Sequence, residues 1–330
     1  TAIGITCYGN RNMYKPNIDE EYLIRYDKDF PIHDADMVFF HSALYKMDRK
    51  QADKTIFNIT NAKNKKYVSI FIDENDGVRT SGFSRGARSC DIVLKSHYNR
   101  KYQYPKNFIP WQFGISNRIL NSIHPVSYND REHSMLVNFR PNHQLRQFIN
   151  KLIIPVVSRF YTINNTIDQI DVSNLQGNDL LLWKQTQGRH YQPYYDRLSN
   201  SKICACYGGV FAIPVGNYNK YMAKIARTAN DIVHFYEWDR VRQWDSWRLW
   251  EAWVAGCCVI HVDFEKYGCA LPVMPQNGEH YIGIDIKYPQ KIESLLNDKV
   301  RLERIARNGR NFVLSHYTPE KIAKYLLSQL

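Results

Sequence analysis

Long apolar runs are missing from this 330-residue chain: the longest, Trp250 to Val262, is broken by Glu251, Gly256 and His261. It falls short of the roughly 18 residues that span a bilayer, so the expectation is a soluble protein. The start, Thr1-Ala2-Ile3-Gly4, shows none of the basic, apolar and small-residue order of a secretory leader. Cysteine and histidine pairs at zinc spacing are absent too. The seven cysteines are an odd number, and Cys204, Cys206, Cys257 and Cys258 lie inside apolar runs, as reduced, packed thiols do in a cytosol. No metal site is expected. There is no internal repeat, no low-complexity segment and no RNP, KH or finger pattern.

Acidic residues are outnumbered, 32 Asp and Glu against 44 Lys and Arg, for a net charge of +12. That balance favours anionic partners without naming one. The basic residues are scattered apart from Lys63, Lys65 and Lys66, and from Arg301, Arg304, Arg307 and Arg310, so nucleic acid is not the expected partner. The second group reads as a solvated helix face, or as one that rests on anionic lipid headgroups at the cytoplasmic face of a membrane.

What is present is enough apolar residue, 44% of the chain, for two cores. Short β-branched or aromatic runs end in polar loops throughout, the alternation of an α/β fold. Strands are predicted at 3–8, 36–40, 67–72, 91–96 and 107–111, then, after an unpatterned stretch at 119–134 that reads as a linker, at 135–139. A helix over 144–157 follows, then a short strand at 180–183, a strand at 203–207 and a helix over 217–227. The end of the chain reads as an edge strand at 281–286, a helix over 291–307 and a last helix with Thr318 as N-cap and Pro319 at its first position. The domains expected are 1–125, 126–311 and a closing helical segment, 312–330.

The chemistry centres on Asp245-Ser246-Trp247-Arg248-Leu249-Trp250-Glu251-Ala252-Trp253-Val254-Ala255-Gly256, which runs into Cys257-Cys258-Val259-Ile260-His261-Val262. Asp245 or Ser246 can cap a helix that Gly256 stops, and the β-branched run after it reads as a strand covered on both faces. Arg248 and Glu251 share one helix face near its amino end. A helix amino terminus attracts phosphate, Arg248 can clamp it, and Glu251 can accept hydrogen bonds from a ribose diol. The same spacing also fits a surface ion pair worth about 0.5 kcal/mol.

Arg-x-x-Glu-Ala-x-x-Ala-Gly-Cys followed by an apolar strand resembles the donor-binding signature of GT-B glycosyltransferases, including exostosin-like and group 1 families. The preceding Tyr195-Asp196-Arg197-Leu198-Ser199-Asn200-Ser201-Lys202-Ile203-Cys204-Ala205-Cys206-Tyr207-Gly208-Gly209 resembles the helix, Ser-Lys, strand and glycine loop that come before it in those families. The likeness spans roughly residues 190–275. It implies two Rossmann-like domains facing across a cleft, a nucleoside-diphosphate sugar as donor, a glycan, glycolipid, polysaccharide or lipid-linked acceptor, and neither cofactor nor metal. Donor contacts are then expected from Arg248, Glu251, Ser246, Lys202 and Arg140, with Gly208 and Gly209 allowing the backbone close to the ligand.

An inverting transferase needs a base on the first domain. Asp73, Glu74 and Asp76 cluster after a predicted strand, with Asp73 favoured as base and Asp76 beside it. A polar turn explains the same cluster. Two rivals stand: a GT-A-like enzyme binding a metal through Asp73 and Asp76, and a non-catalytic carbohydrate or nucleic-acid binder, suggested by 23 Tyr and 7 Trp among basic residues.

Overall fold

The computed structural model describes residues 6–46, 48–77, 80–139, 144–165, 172–208, 210–211 and 241–330. Thirteen strands β1–β13 occur among them. β1 (Cys7–Gly9) and β2 (Ile24–Tyr26) form a small parallel pair. β3 (Met37–His41), β4 (Val68–Asp73), β5 (Ile92–Lys95) and β6 (Phe108–Pro110) form a four-stranded parallel sheet in chain order. Its core is small and built around Phe40, Ile56, Phe71, Val93 and Phe108.

The second sheet holds β7 (Glu132–Leu136), β8 (Thr162–Asn164), β9 (Ser201–Ala205), β12 (Cys258–Val262) and β13 (Ile282–Ile284), all parallel, in the order β13-β12-β9-β7-β8. The chain steps from β7 outward to β8 and then back across β7 to β9. The topology therefore switches between β7 and β9, the place where open α/β sheets bind ligands beyond their strands' carboxyl ends. The remaining strands, β10 (Val210–Phe211) and β11 (Val241–Gln243), pair antiparallel. Two parallel α/β units, as expected of a GT-B-like chain, are present.

The helix Trp247–Ala255 feeds β12 as predicted, and all of its residues from Leu249 to Ala255 are buried. Its two buried indoles are satisfied. Trp250 Nε1–H donates to Asp245 Oδ1 at 2.7 Å and Trp253 Nε1–H to the His280 carbonyl at 2.9 Å. Gly256 sits at φ 73°, the left-handed stop anticipated. The helix's last carbonyls go to two arginines: Arg131 reaches Ala255 O (2.7 Å) and Gly256 O (2.8 Å), and Arg310 reaches Val254 O (3.1 Å). Arg131 also bonds Val126 O, at 2.8 Å through Nη2 and 3.0 Å through Nε. Arg310 is thus directed inward rather than standing with Arg301, Arg304 and Arg307, all exposed.

Several sequence expectations shift. The stretch 119–134 is not a free linker: the helix Asn117–Ser122 runs into it, and Ile119 and Ile123 belong to the second domain's core. The strand expected at 135–139 pairs three residues earlier, as β7. Residues 180–183 lie in the helix Gly177–Gln185 rather than a strand. The division at 312 cuts through one continuous helix, Lys299–His316; the separate closing helix is Pro319–Leu327, with Thr318 as its N-cap. Its Tyr325 lies against Trp111 of the first half, ring centres 6.4 Å apart. The helix expected over 217–227 lies outside the described residues, as do Arg140 and Gly209.

A seam joins the units behind β5. Buried Asn99 donates through Nδ2 to Val241 O and Tyr267 O, both at 2.9 Å, and Trp244 Nε1–H donates to Tyr98 O at 3.1 Å. Arg131→Ala should lower stability by roughly 3 kcal/mol in urea unfolding, because the buried carbonyls of Ser201, Ala255 and Gly256 lose a donor at about 1 kcal/mol each. Arg131→Met should fare no better; recovery with Met would mean that the side chain acts through packing alone.

Candidate functional site at the switch between β7 and β9

Beyond the carboxyl ends of β7 and β9 the chain places two aromatic rings, Phe139 and Tyr207, both buried and 5.2 Å apart edge to face. The Tyr207 hydroxyl donates to Asn150 Oδ1. Two guanidinium groups converge on Phe139: Arg248 Cζ lies 5.1 Å and Arg146 Cζ 5.2 Å from the ring centre. Arg248 is the second residue of its helix, and Arg146 lies in the first turn of Gln144–Val157. Both helix amino ends therefore face this edge. Burial first, and then Arg248, lower the Arg146 pKa to about 10, while Asp76 opposes that shift.

Arg248 has Nε and Nη1 buried without a hydrogen-bond partner among the described residues, and so is the Ser246 hydroxyl just ahead of the helix. Ser246 is the N-cap residue but makes no side-chain cap bond. Buried donors left unpaired cost about 1–3 kcal/mol each, more when charged. Two like charges, a helix amino end and a hydroxyl thus meet where an anion would satisfy all of them.

The remaining predicted residues are placed differently. Glu251 is 4% exposed, and its oxygens receive the hydroxyls of Tyr194 (3.0 Å) and Tyr195 (3.5 Å). Burial raises its pKa, with Arg118 opposing. An enclosed carboxylate anchoring two tyrosines replaces the expected open ribose ligand. Lys202 is the second residue of β9, at the sheet's opposite end, its ammonium 5.7 Å from the Tyr128 ring. Gly208 is needed because a Cβ there would lie 2.3 Å from Gln243 O and Trp244 Cα. The close approach is made by the protein's own backbone rather than by a ligand.

Across the seam, Asp73 faces Lys95, its register partner on β5. Neither side chain has any exposure, and Lys95 Nζ lies 3.3 Å from Oδ2. Asp73 also receives Gly82 N–H at 3.1 Å, the Thr80 hydroxyl and both nitrogens of Asn75. Its lone pairs are taken inside the fold, so Asp73 is neither an accessible base nor half of a metal chelate with Asp76. Asp76 does remain open, with 70% of its side-chain surface accessible, and its Oδ1 lies 3.3 Å from His97 Nε2.

His97, which sequence reading missed, is fully buried at φ 54°, a conformation non-glycine residues seldom adopt. Its Nδ1 accepts the backbone N–H groups of Trp244 (3.2 Å) and Asp245 (3.1 Å). That leaves the proton on Nε2, aimed at Asp76. Burial lowers the His97 pKa, so the ring stays neutral. Next to it, Asp245 accepts Phe113 N–H and Trp250 Nε1–H, both at 2.7 Å. These donors favour its charged form, yet burial outweighs them and pushes the carboxyl up to about 7.

Neither a protein-family comparison nor the curated proteins give a match. Among solved structures, an alpha-glucosyltransferase in complex with UDP-glucose and DNA containing an abasic site is similar over 90% of this chain and 80% of its own, at 9% identity and TM-score 0.49. TarM is similar over 88% and 54%, at 10% identity and TM-score 0.47. Sucrose-phosphate synthase from Thermosynechococcus elongatus is similar over 89% and 72%, at 12% identity and TM-score 0.45.

Two predictions separate the carboxylates. Asp73→Asn strands the buried Lys95 charge and should cost roughly 3 kcal/mol in stability; Asp76→Asn should stay within about 0.5 kcal/mol of the parent. Equal losses in urea melts would contradict the division. For Asp245, the unfolded carboxyl ionises near 3.8 and the folded one near 7. Its contribution to stability is therefore full below pH 3.8 and lost as pH rises to about 7, at roughly 1.4 kcal/mol per pH unit. Asp245→Asn should flatten that part of the stability–pH curve, and an unchanged slope would show that Asp245 is ionised when folded.

Proposed function

We propose that the chain is a glycosyltransferase that moves a sugar from a nucleoside-diphosphate sugar to a glycan, glycolipid, polysaccharide or lipid-linked acceptor, without a metal. The observation that carries this reading is the Arg248 guanidinium, held at a helix amino end beside Arg146 with two buried nitrogens unpaired among the described residues. A departing diphosphate is such a partner. Charge that develops on its leaving oxygen is stabilised by preorganised cations and the helix end. Arg248 and Arg146 take the phosphates, and Ser246 supplies a hydroxyl at the same end.

Asp76 is the candidate base. It is exposed, it acts on Arg146 from the first domain, and His97 orients it by donating from Nε2. Glu251 acts through Tyr194 and Tyr195 as a positioning residue. The reading fits a cytoplasmic enzyme of glycan biosynthesis. Contact with an anionic membrane would use Arg301, Arg304 and Arg307, which stand exposed on one helix. No helix among the described residues is long and apolar enough to cross a membrane.

The test is a melting-shift screen with UDP, GDP, ADP, dTDP and CMP, followed by calorimetry of the nucleotide that binds. One of them should stabilise the protein with EDTA present. Arg248→Ala and Arg146→Ala should each weaken its binding by about ten- to hundredfold, the loss of one or two charge-assisted hydrogen bonds, with melting of the apo protein little changed. Absence of a shift with every nucleotide, on folded protein, would point to the carbohydrate- or nucleic-acid-binding alternative. A shift that needs Mg²⁺ or Mn²⁺ would contradict the metal-free reading.

A further inference from the structure

Glu251, one turn on from Arg248, is held by a chain of hydrogen bonds that runs back to a buried imidazole. The Tyr195 hydroxyl, which donates to Glu251 Oε1, itself receives an N–H of Arg118. The same nitrogen, Arg118 Nη1, lies 3.4 Å from His190 Nδ1. On the other side of the ring, His190 Nε2 is 3.1 Å from Asp179 Oδ1. Arg118 comes from the helix Asn117–Ser122, Asp179 from Gly177–Gln185 and Tyr195 from Gln192–Asn200, with His190 two residues before that last helix. The helix carrying Asp179 has a fixed station, since its Gln185 and Asn178 bond the backbone of Lys15 and Ile18 in the first unit.

These neighbours fix the proton of the ring. A guanidinium only donates, so Nδ1 carries the lone pair and Nε2 the hydrogen, which it donates to Asp179. Arg118 and Asp179 are the charged groups that meet the imidazole among the described residues, and Tyr195 packs on it edge to face with ring centres 5.6 Å apart. His190 is 3% exposed, whereas 57% of the Asp179 side chain is accessible, so water screens the carboxylate more than the contact with Arg118. Burial and Arg118 outweigh Asp179 and hold the ring below its ordinary pKa. A second proton would set an N–H of the ring against an N–H of Arg118 and add like charge at short range. Arg118 would then have to leave, and Glu251 would lose the foremost of the groups that oppose its desolvation.

We infer that His190 and Arg118 are positioning residues that make the signature helix sensitive to protons: neutral His190 holds Arg118 on Tyr195 and Glu251, and protonated His190 releases it. Acid thereby removes an anchor from the helix that carries Arg248. The effect on binding rests on the nucleotide reading given above; the coupling of His190 to Arg118 and Tyr195 does not.

The coupling is tested first without ligand, by NMR of the His190 ring, assigned with His190→Gln, and of ring-labelled Tyr195. The two should titrate together with a midpoint below 6.5, and Arg118→Met should raise the His190 midpoint and uncouple Tyr195 from it. Calorimetry with the nucleotide that stabilises the protein then compares about pH 7.5 with about pH 5.5, on either side of the ordinary imidazole ionisation. The His190→Gln amide can accept from Arg118 and donate to Asp179 but takes no proton. This variant should match the parent at the higher pH and bind severalfold more tightly than it at the lower. Protonation of the nucleotide or of Asp245 affects both proteins alike and cancels in the comparison. Arg118→Met should bind severalfold more weakly at the higher pH, and adding His190→Gln to it should change nothing at either. A Tyr195 resonance that ignores the His190 titration, a His190 midpoint unmoved by Arg118→Met, or an identical acid loss in parent and His190→Gln would each overturn the inference. If no nucleotide binds at any pH, the transferase reading fails, while the two NMR titrations still decide whether His190 governs Arg118.

Discussion

The guanidinium of Arg131 ties together parts of the second domain that are far apart in sequence. It lies 6% exposed at the entry to β7 and bonds carbonyls of the preceding loop and of both residues that end the signature helix. A cation is well placed at the carboxyl end of a helix, because it answers that end of the dipole. Gly256 belongs to the same arrangement. A Cβ there would come within 3.0 Å of Arg131 Nη2, on a backbone already in the left-handed region. Arg131 thereby fixes where the helix stops, the stop fixes where β12 begins, and helix length then sets how far Arg248 projects beyond the sheet.

The charges of the molecule are sorted by accessibility rather than by sign. The carboxylates Asp73, Asp245 and Glu251 are each enclosed and supplied with donors from the fold itself. Asp76, by contrast, stays open beside an imidazole of fixed tautomer. Around the switch point the fold spends its buried acids on architecture and leaves two buried nitrogens of Arg248 unpaired among the described residues. This asymmetry, more than the count of basic residues in the sequence, makes the site positive.

Much of the fold was legible in sequence because its signals are local. The β-branched run at 258–262, the left-handed glycine after the helix and the Thr318-Pro319 cap each specify their own conformation. β7 was misplaced because Val137 and Phe139 are as apolar as the strand itself and are buried beyond its end. Which strand end a residue occupies cannot be read from a motif that merely places it nearby, and Lys202 stands at the amino end of β9. Nor does a cluster of acids reveal which member is covered: Asp73 is set apart from Asp76 by Lys95, 22 residues onward and brought opposite by sheet register, and by the Thr80 hydroxyl and Gly82 N–H. Arg146 carried a usable signal, a basic residue in the first turn after a β-loop-α step. His97 carried none, since its role arises from backbone donors nearly 150 residues away.

The seam behind β5 has a mechanical consequence. Asn99, His97 and Trp244 stitch the two units with bonds to backbone atoms, whose positions do not change with side-chain rotamer. Sliding or pulling the units apart would break all of them together, and the bonds that Lys15 and Ile18 make to Gln185 and Asn178 add a second tie elsewhere. Asp76, hydrogen-bonded to His97 on the seam, is thereby anchored at the junction itself, so its place relative to the second unit is set by backbone atoms of that unit.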